Sequence, residues 1–314
     1  MVILLGLAAA MLYGCGDFIG GMASRRVPVL TVLLLAESAG CVVALAAALV
    51  WPGPVGPFGP AWGVGAGLVG LAWGAGAGLA GGFGLIMFYT GLATGPMSVV
   101  APVSGLVSTI LPVAVALAEG ERPGAGVYAG AMLCLVAIVL ASSAGGDEGE
   151  RPGRAGGLGR AGQTGRTGRA LAYGVGAGVL FGLFFLLIRN AGQSGTLWPV
   201  ASARVGELAS VLVAMAVLRP AQRRRSPARS GGLPGGYGGW LLVAAAGAGT
   251  IDVVANICYV TAARTGMFGL AVVLASLYPG ITVLLARAVL GERLRRVQQA
   301  GLALAAIGIV LVAS

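Results

Sequence analysis

Ten apolar segments, each close to the twenty residues that a membrane-spanning helix needs, occupy most of this chain of 314 residues. Because backbone polar groups cannot stay unpaired in lipid, such segments are restricted to helices. We therefore predict an all-α integral membrane protein with ten transmembrane helices. The expected spans are 1–23, 28–50, 63–90, 95–118, 124–143, 170–190, 197–218, 240–263, 267–290 and 297–314.

The composition leaves too little polar material to cover a water-facing surface. Hydrophobic residues make up 57% of the chain and charged residues only 10%, whereas soluble domains carry about 25% charged residues. The chain has no His, which removes most zinc and acid–base enzyme constellations. Its four cysteines lie inside apolar runs without metal-ligand spacing, so we expect no metal, no cofactor and no enzyme activity.

The net charge of +10 rests on arginine alone, since the chain has no Lys. The arginines crowd into short segments between apolar runs, which is typical of the positive-inside rule and not of a nucleic-acid-binding surface. Sixteen of the twenty follow the odd-numbered spans. We therefore predict a multi-pass protein of the cell membrane with its Arg-rich side in the cytoplasm, both termini outside, and no nucleic-acid partner.

The two halves of the chain repeat each other. The tripeptide GER around Glu121 returns around Glu292 at an offset of 171, and Tyr89 returns as Tyr259 at an offset of 170. Five helices per unit is an odd number, so the second unit must enter the membrane in the opposite sense. Inverted repeats of this kind place a substrate site near the midplane, between the halves. The predicted organisation is a first five-helix repeat 1–143, a disordered cytoplasmic Gly/Arg-rich linker 144–169 and a second five-helix repeat 170–314.

Ten helices in two inverted repeats, each with GER before its last helix, combine with Tyr13-Gly14 and Asp17-Phe18 in the first helix. This pattern resembles the EamA-type branch of the drug/metabolite transporter superfamily over nearly the whole chain except the linker. The resemblance implies a transporter, often an exporter, of small organic solutes. It also implies no ATP-binding parts, and the chain contains no Walker A loop.

Charged side chains within the predicted spans cost roughly 2.5–3.5 kcal/mol each on insertion scales, so their presence points to a function. Asp252 lies near the midplane of its span, and Glu37 lies about 16 Å deep by helical rise. We expect a central cavity in which these two bind a cationic solute or a proton. The alternative is that the charges satisfy one another, as Arg204 and Glu207 would, three residues apart. The candidate substrate-binding or proton-coupling residues are Asp252, Glu37, Arg204, Asp17 and Asn256.

Prolines and glycines mark a second set of positions. Pro102 and Pro112 are expected to interrupt the fourth span, and Pro279 the related ninth span, as a helix-break pathway for substrate. Glycines repeat every four residues in the third and sixth spans, which predicts close helix packing. The members of these ridges are Gly70, Gly74, Gly78 and Gly82, and Gly174, Gly178 and Gly182.

These observations together predict a secondary active transporter that works by alternating access. Its cargo is expected to be a small metabolite, an amino-acid-like compound or a drug, exported and exchanged for protons at Asp252 or Glu37. A lipid or amphiphile flippase of the same fold is the alternative, and an integral membrane lipid-modifying enzyme a more distant one. The sequence leaves open whether the protein is a monomer or a homodimer.

Overall fold

The computed structural model describes residues 1–51, 64–94, 97–122, 158–192, 195–225 and 239–290, with scattered positions in 124–140 and 297–311. Nearly all of these residues are helical, and no strand occurs among them. The helices are α1 (Val2–Ser24), α2 (Val29–Val50), α3 (Val64–Thr94), α4 (Met97–Ala118), α5 (Leu158–Gly192), α6 (Leu197–Arg225), α7 (Gly239–Thr265), α8 (Phe268–Ala275) and α9 (Tyr278–Leu290).

Six of these helices, α1, α2, α3, α5, α6 and α7, are long and apolar enough to cross a membrane. Helix α4 and the segment from α8 into α9 contribute shorter apolar stretches. The described part of the chain is therefore the all-helical, membrane-type structure that the hydropathy predicts. The predicted fifth and tenth spans, 124–143 and 297–314, lie mostly outside the described residues, so the count of ten stays a prediction.

The predicted interruption of the fourth span is wrong, because α4 runs unbroken through Pro102 and Pro112. Packing against α5 explains the continuity. The carbonyl that Pro112 deprives of its usual partner belongs to Ser108, and it faces Gly182, where an added Cβ would stand 3.1 Å from the oxygen. The close packing of α5 keeps α4 helical at Pro112 despite the missing hydrogen bond.

The ninth span is interrupted, as predicted, but the break precedes its proline. Helix α8 ends at Ala275 and α9 begins at Tyr278, so Pro279 lies in the first turn of α9. A proline costs little there, because the first backbone N–H groups of a helix have no intrahelical partner. The proline therefore starts the second segment of this span.

The predicted linker, 144–169, is wrong as a wholly disordered segment, because α5 already begins at Leu158. Half of the residues from 158 to 169 are Gly or Thr, which are poor helix formers, so local propensity does not explain the helix here. Once the apolar part of α5 is helical, extending it outwards adds one hydrogen bond per residue without a new nucleus. Residues 144–157 lie outside the described residues.

The most extensive helix contacts join the first half of the chain to the second. Helices α1 and α2 pack on α7, and α3 packs on α5 and α6. Helix α4 packs on α5 as α1 packs on α8 and α9, and α2 packs on α6. In the predicted repeat, α1 corresponds to α5, α2 to α6, α3 to α7, and α4 to α8 with α9. When each helix is replaced by its counterpart, every contact in this set becomes another contact of the set, and the α2–α6 contact becomes itself.

Two helix contacts repeat this exchange at the level of atoms. A Cβ added to Gly40 of α2 would stand 3.0 Å from the carbonyl oxygen of Gly249 in α7. At an offset of 170, Ser210 of α6 donates to the carbonyl oxygen of Leu79 in α3 at 3.1 Å. At this offset Gly40 corresponds to Ser210, and Leu79 corresponds to Gly249. The same pair of positions therefore meets in the α2–α7 contact, through glycines, and in the α3–α6 contact, through a hydrogen bond.

The glycine ridges lie in these contacts, as their spacing predicts. In α3, a Cβ on Gly82 would meet Ser210 Cβ at 2.7 Å, and Gly78 contacts the carbonyl of Ala203. In α5, a Cβ on Gly178 would stand 2.7 Å from the carbonyl of Ser104 in α4. The ridges let backbones approach too closely for any larger residue.

Candidate functional site

A cavity of about 50 Å³ lies between the two halves, in the middle of the bundle. Helices α1 and α3 line it from the first half, and α5, α6, α7 and α9 from the second. Most of its lining side chains are acidic or amide groups or aromatic rings. The lining residues are Tyr13, Asp17, Gly81, Leu85, Phe181, Phe184, Phe185, Glu207, Asp252, Asn256 and Tyr278.

Arg204 of α6 lies beneath the cavity, with its side chain 0% exposed. Its Nη1 donates to Glu37 Oε2 at 2.9 Å and lies 2.8 Å from Glu207 Oε2, an ion pair without the alignment of a hydrogen bond. Its Nη2 donates to Asp252 Oδ2. Glu37 and Glu207 are each 3% exposed and Asp252 is 25% exposed. One guanidinium therefore contacts three carboxylates from three helices.

A chain of hydrogen bonds extends this group to α1. Asn256, one turn after Asp252, donates from Nδ2 to Asp252 Oδ2 at 3.1 Å. Its Oδ1 accepts a hydrogen bond from Tyr13 Oη at 2.6 Å. Because Tyr13 donates to Asn256, and Asn256 donates to the carboxylate that Arg204 also holds, the chain fixes the Tyr13 ring against the cavity.

Asp17 lies one turn after Tyr13 on α1 and also lines the cavity. In contrast to the carboxylates around Arg204, it forms no hydrogen bond or ion pair with any other residue that the structure describes. Asp17 therefore has no arginine partner among the described residues. Its carboxylate is left to face the cavity.

Aromatic rings form much of the cavity wall. The ring of Tyr13 lies edge-to-face with Phe185 at a centroid distance of 6.5 Å and with Tyr278 at 6.3 Å. Phe88, behind the wall, packs on Phe181 at 5.7 Å and on Tyr278 at 6.5 Å. Tyr278 Oη also lies 3.2 Å from Ser104 Oγ. The rings hold one another in place, so the wall is preformed.

The structure gathers all five predicted polar candidates into one region. Asp17, Asp252 and Asn256 line the cavity, and Arg204 and Glu37 lie directly beneath it. The predicted ion pair of Arg204 with Glu207 is present. The prolines are not among the lining residues, although Pro279 follows Tyr278, so their place in a substrate pathway stays a prediction.

Sequence reasoning missed the importance of Glu207 and of the three phenylalanines of α5. For Glu207 a signal existed. The offset of 170 that pairs Tyr89 with Tyr259 also pairs Glu37 with Glu207, so the two buried glutamates occupy corresponding positions. The phenylalanines carried no such signal, because Phe in an apolar span is equally at home against lipid.

Polar contacts close the bundle at the face where α4 ends and α8 begins, the face predicted to be outside. Glu121 accepts hydrogen bonds from the backbone N–H groups of Phe268 at 2.7 Å and Gly269 at 3.0 Å. Arg189 pairs with Glu119 at 2.5 Å and stacks over the Phe268 ring at 4.2 Å. These contacts tie the end of α4 to α5 and α8.

Two corresponding tyrosines lie on either side of the cavity level. Tyr89 of α3 packs against Gly20 of α1, towards the face predicted to be cytoplasmic. Tyr259 of α7 donates to the carbonyl oxygen of Phe185 at 3.3 Å, towards the opposite face. Both are buried, and each contact joins two helices of the same half, α1 with α3 and α5 with α7.

Comparison with known proteins relates this chain to a family. The model of the EamA-like transporter family matches residues 168–314. This part of the chain is similar in sequence to that family, as the resemblance predicted. Together with the six helices that are long and apolar enough to cross a membrane, the similarity supports a multi-pass membrane protein of transporter type.

The fold also occurs among solved structures. One crystal structure aligns with a TM-score of 0.65 at 19% sequence identity, covering 99% of this chain and 95% of that chain. At this identity the likeness concerns the fold alone. No curated protein matches the chain in sequence.

Proposed function

We propose that this EamA-like protein is a secondary active transporter that moves a small metabolite, an amino-acid-like compound or a drug by alternating access. The observation that carries the proposal is that both halves line one cavity in the middle of the bundle. A site shared between two halves changes its exposure when the halves rock against each other. The corresponding helix contacts in the two halves support an inverted repeat as the basis of that motion.

The closing contacts fit such a motion. Opening towards the predicted outer face requires the Glu121 and Arg189 contacts to break, because they join the end of α4 to α5 and α8. These contacts cross between the halves, so they are suited to stabilise the side that is closed.

We further propose that the transporter exports its cargo in exchange for protons and that Asp17 is the coupling residue. Arg204 already pairs with Glu37, Glu207 and Asp252, the carboxylates nearest to it. Asp17 faces Tyr13, Tyr278, Glu207 and Asp252 across the cavity and has no cationic partner among the described residues. A lone carboxylate gains or loses a proton without breaking an ion pair.

Reconstitution into proteoliposomes tests the proposal. Compounds that raise the thermal stability of the purified protein are first identified from a library of amines, amino acids and sugars, since a ligand of the folded state stabilises it. We expect counterflow of a stabilising compound with the wild-type protein and faster uptake when the lumen is acidic. Asp17→Asn should retain the fold and lose the response to the pH gradient.

Three results contradict parts of the proposal. Absence of counterflow for every stabilising compound contradicts transport of a small solute. An unchanged response to the pH gradient in Asp17→Asn contradicts coupling at that residue. Scrambling of a fluorescent phospholipid without solute counterflow would instead identify a flippase, the alternative that the sequence left open.

A further inference from the structure

We propose that the cavity binds an organic cation of the ammonium type, with its charged nitrogen between the Asp17 carboxylate and the aromatic wall. The inference rests on the proposed function, since it names the cargo of the same cavity. It follows from three features of the site: an excess of negative charge, a carboxylate without a partner, and preformed ring faces.

The charge of the site is unbalanced among the described residues. Asp17, Glu207 and Asp252 line the cavity, and no arginine does. Arg204 lies beneath them, fully buried, with both Nη atoms engaged by carboxylates. Its guanidinium is therefore not available to bind an anionic group of a ligand. An acidic ligand would meet like charges, whereas a cation would complete the pairing.

Asp17 is the group best suited to hold that cation. Its carboxylate lines the cavity, and no described side chain or backbone group bonds to it. Glu207 and Asp252, in contrast, are already held by Arg204. A carboxylate kept away from bulk water without a partner costs free energy, and a bound cation offsets that cost.

The rings opposite Asp17 suit a cation with alkyl substituents. The faces of Tyr and Phe rings carry negative potential and attract ammonium groups, and a quaternary or alkylated nitrogen gains apolar contact as well. Tyr13, Phe181 and Tyr278 all line the cavity, and their mutual packing fixes their orientation before a ligand enters. A bare metal cation would make no use of this apolar wall.

Equilibrium binding to the purified full-length protein tests the inference. Radiolabelled benzyltrimethylammonium serves as the cationic probe, with benzyl alcohol and phenylacetate as neutral and anionic competitors of similar shape. We expect saturable binding of the probe. Phenylacetate should compete about a hundredfold more weakly than the unlabelled cation, because like charges across a buried site are strongly unfavourable.

Two cavity variants and one control locate the site. Asp17→Asn keeps the side-chain shape and should weaken binding of the probe about thirtyfold or more. Phe181→Leu keeps an apolar side chain without a ring and should weaken it by about threefold to tenfold. Val243→Ala shortens a side chain of α7 that is 71% exposed and does not line the cavity, so the affinity should not change.

The inference is overturned if phenylacetate or benzyl alcohol competes as well as the cation, or if Asp17→Asn and Val243→Ala bind the probe equally. The competition series uses the wild-type protein, so it decides the question even if a variant fails to fold. Counterflow of a neutral or anionic solute would overturn the cation assignment and leave the transport proposal standing. Cation binding without counterflow of any solute would overturn the transport proposal and leave the cation assignment standing.

Discussion

Arg204 of α6 and Glu37 of α2 form a buried ion pair across the two halves of the molecule, Nη1 to Oε2 at 2.9 Å. Helices α2 and α6 are counterparts in the predicted repeat, so their contact lies at the centre of the contacts between the two halves. The same guanidinium also contacts Glu207 and Asp252. A single arginine thus holds together charges from α2, α6 and α7, and its loss would leave them without a described cationic partner.

Arg204→Met should therefore destabilise the protein by about 3–5 kcal/mol, the usual cost of removing one partner from a buried ion pair. The measurement is the apparent unfolding temperature in detergent. Glu37→Gln should cost less, because Arg204 keeps two carboxylates. Arg189→Gln serves as the control. That arginine pairs with Glu119 in a partly exposed position, where an ion pair contributes about 1 kcal/mol or less. An Arg204→Met protein as stable as the control would contradict the structural role of Arg204.

The helix packing yields a prediction with a matched control in the same helix. Gly249→Ala should destabilise the protein by about 1–3 kcal/mol, because its Cβ would collide with the carbonyl of Ala36 in α2. A Cβ on Gly247, two residues away, meets open space. Gly247→Ala should be neutral or slightly stabilising, since Ala favours a helix over Gly by up to about 1 kcal/mol. Thermal unfolding of both variants is the comparison, and equal effects would refute the close approach of α2 and α7.

The sequence predicts most of the helices because the cost of unpaired backbone groups in lipid makes long apolar runs helical. It also places Asp252 near the midplane, since helical rise converts residue number into depth. Hydropathy carries no information about partners. The sharing of Arg204 among Glu37, Glu207 and Asp252 depends on how three helices pack, and local spacing predicts only the pair within α6.

The prolines illustrate the same limit. In the sequence Pro112 and Pro279 look alike, as prolines in matched apolar spans. In the structure α4 continues through Pro112 because Gly182 of α5 packs against its freed carbonyl, whereas a new helix begins at Tyr278, just before Pro279. Whether a proline interrupts a membrane helix is decided by the neighbouring helix, which the local sequence does not contain.

The contact between α4 and α8 gives a further prediction. Glu121→Ala removes the acceptor of two backbone N–H groups at the start of α8 and should cost about 1–2 kcal/mol, as the loss of a helix cap does. The neighbouring Arg122→Ala should change stability little, because that side chain is exposed. Thermal unfolding in detergent measures both. If the two variants unfold at the same temperature, Glu121 does not hold the start of α8.

The Arg-rich loops predict the orientation of the protein. Tags at either terminus should be accessible to impermeant reagents on intact cells, and a tag inserted in the segment 144–157 should be protected until the membrane is permeabilised. The reverse pattern would place the Arg-rich side outside and contradict the positive-inside assignment. It would leave the cavity and its residues unaffected.

The most direct test of alternating access is the accessibility of a cavity residue from the two sides of the membrane. In a protein with its native cysteines replaced by Ala, Leu85→Cys places a thiol in the cavity wall, and Val254→Cys places one on the exposed surface of α7, near the depth of Asp252. In oriented proteoliposomes, an impermeant thiol reagent should label Leu85→Cys from either side and leave Val254→Cys unlabelled. Labelling of Leu85→Cys from one side only, or from neither, would contradict a cavity that opens to each face in turn.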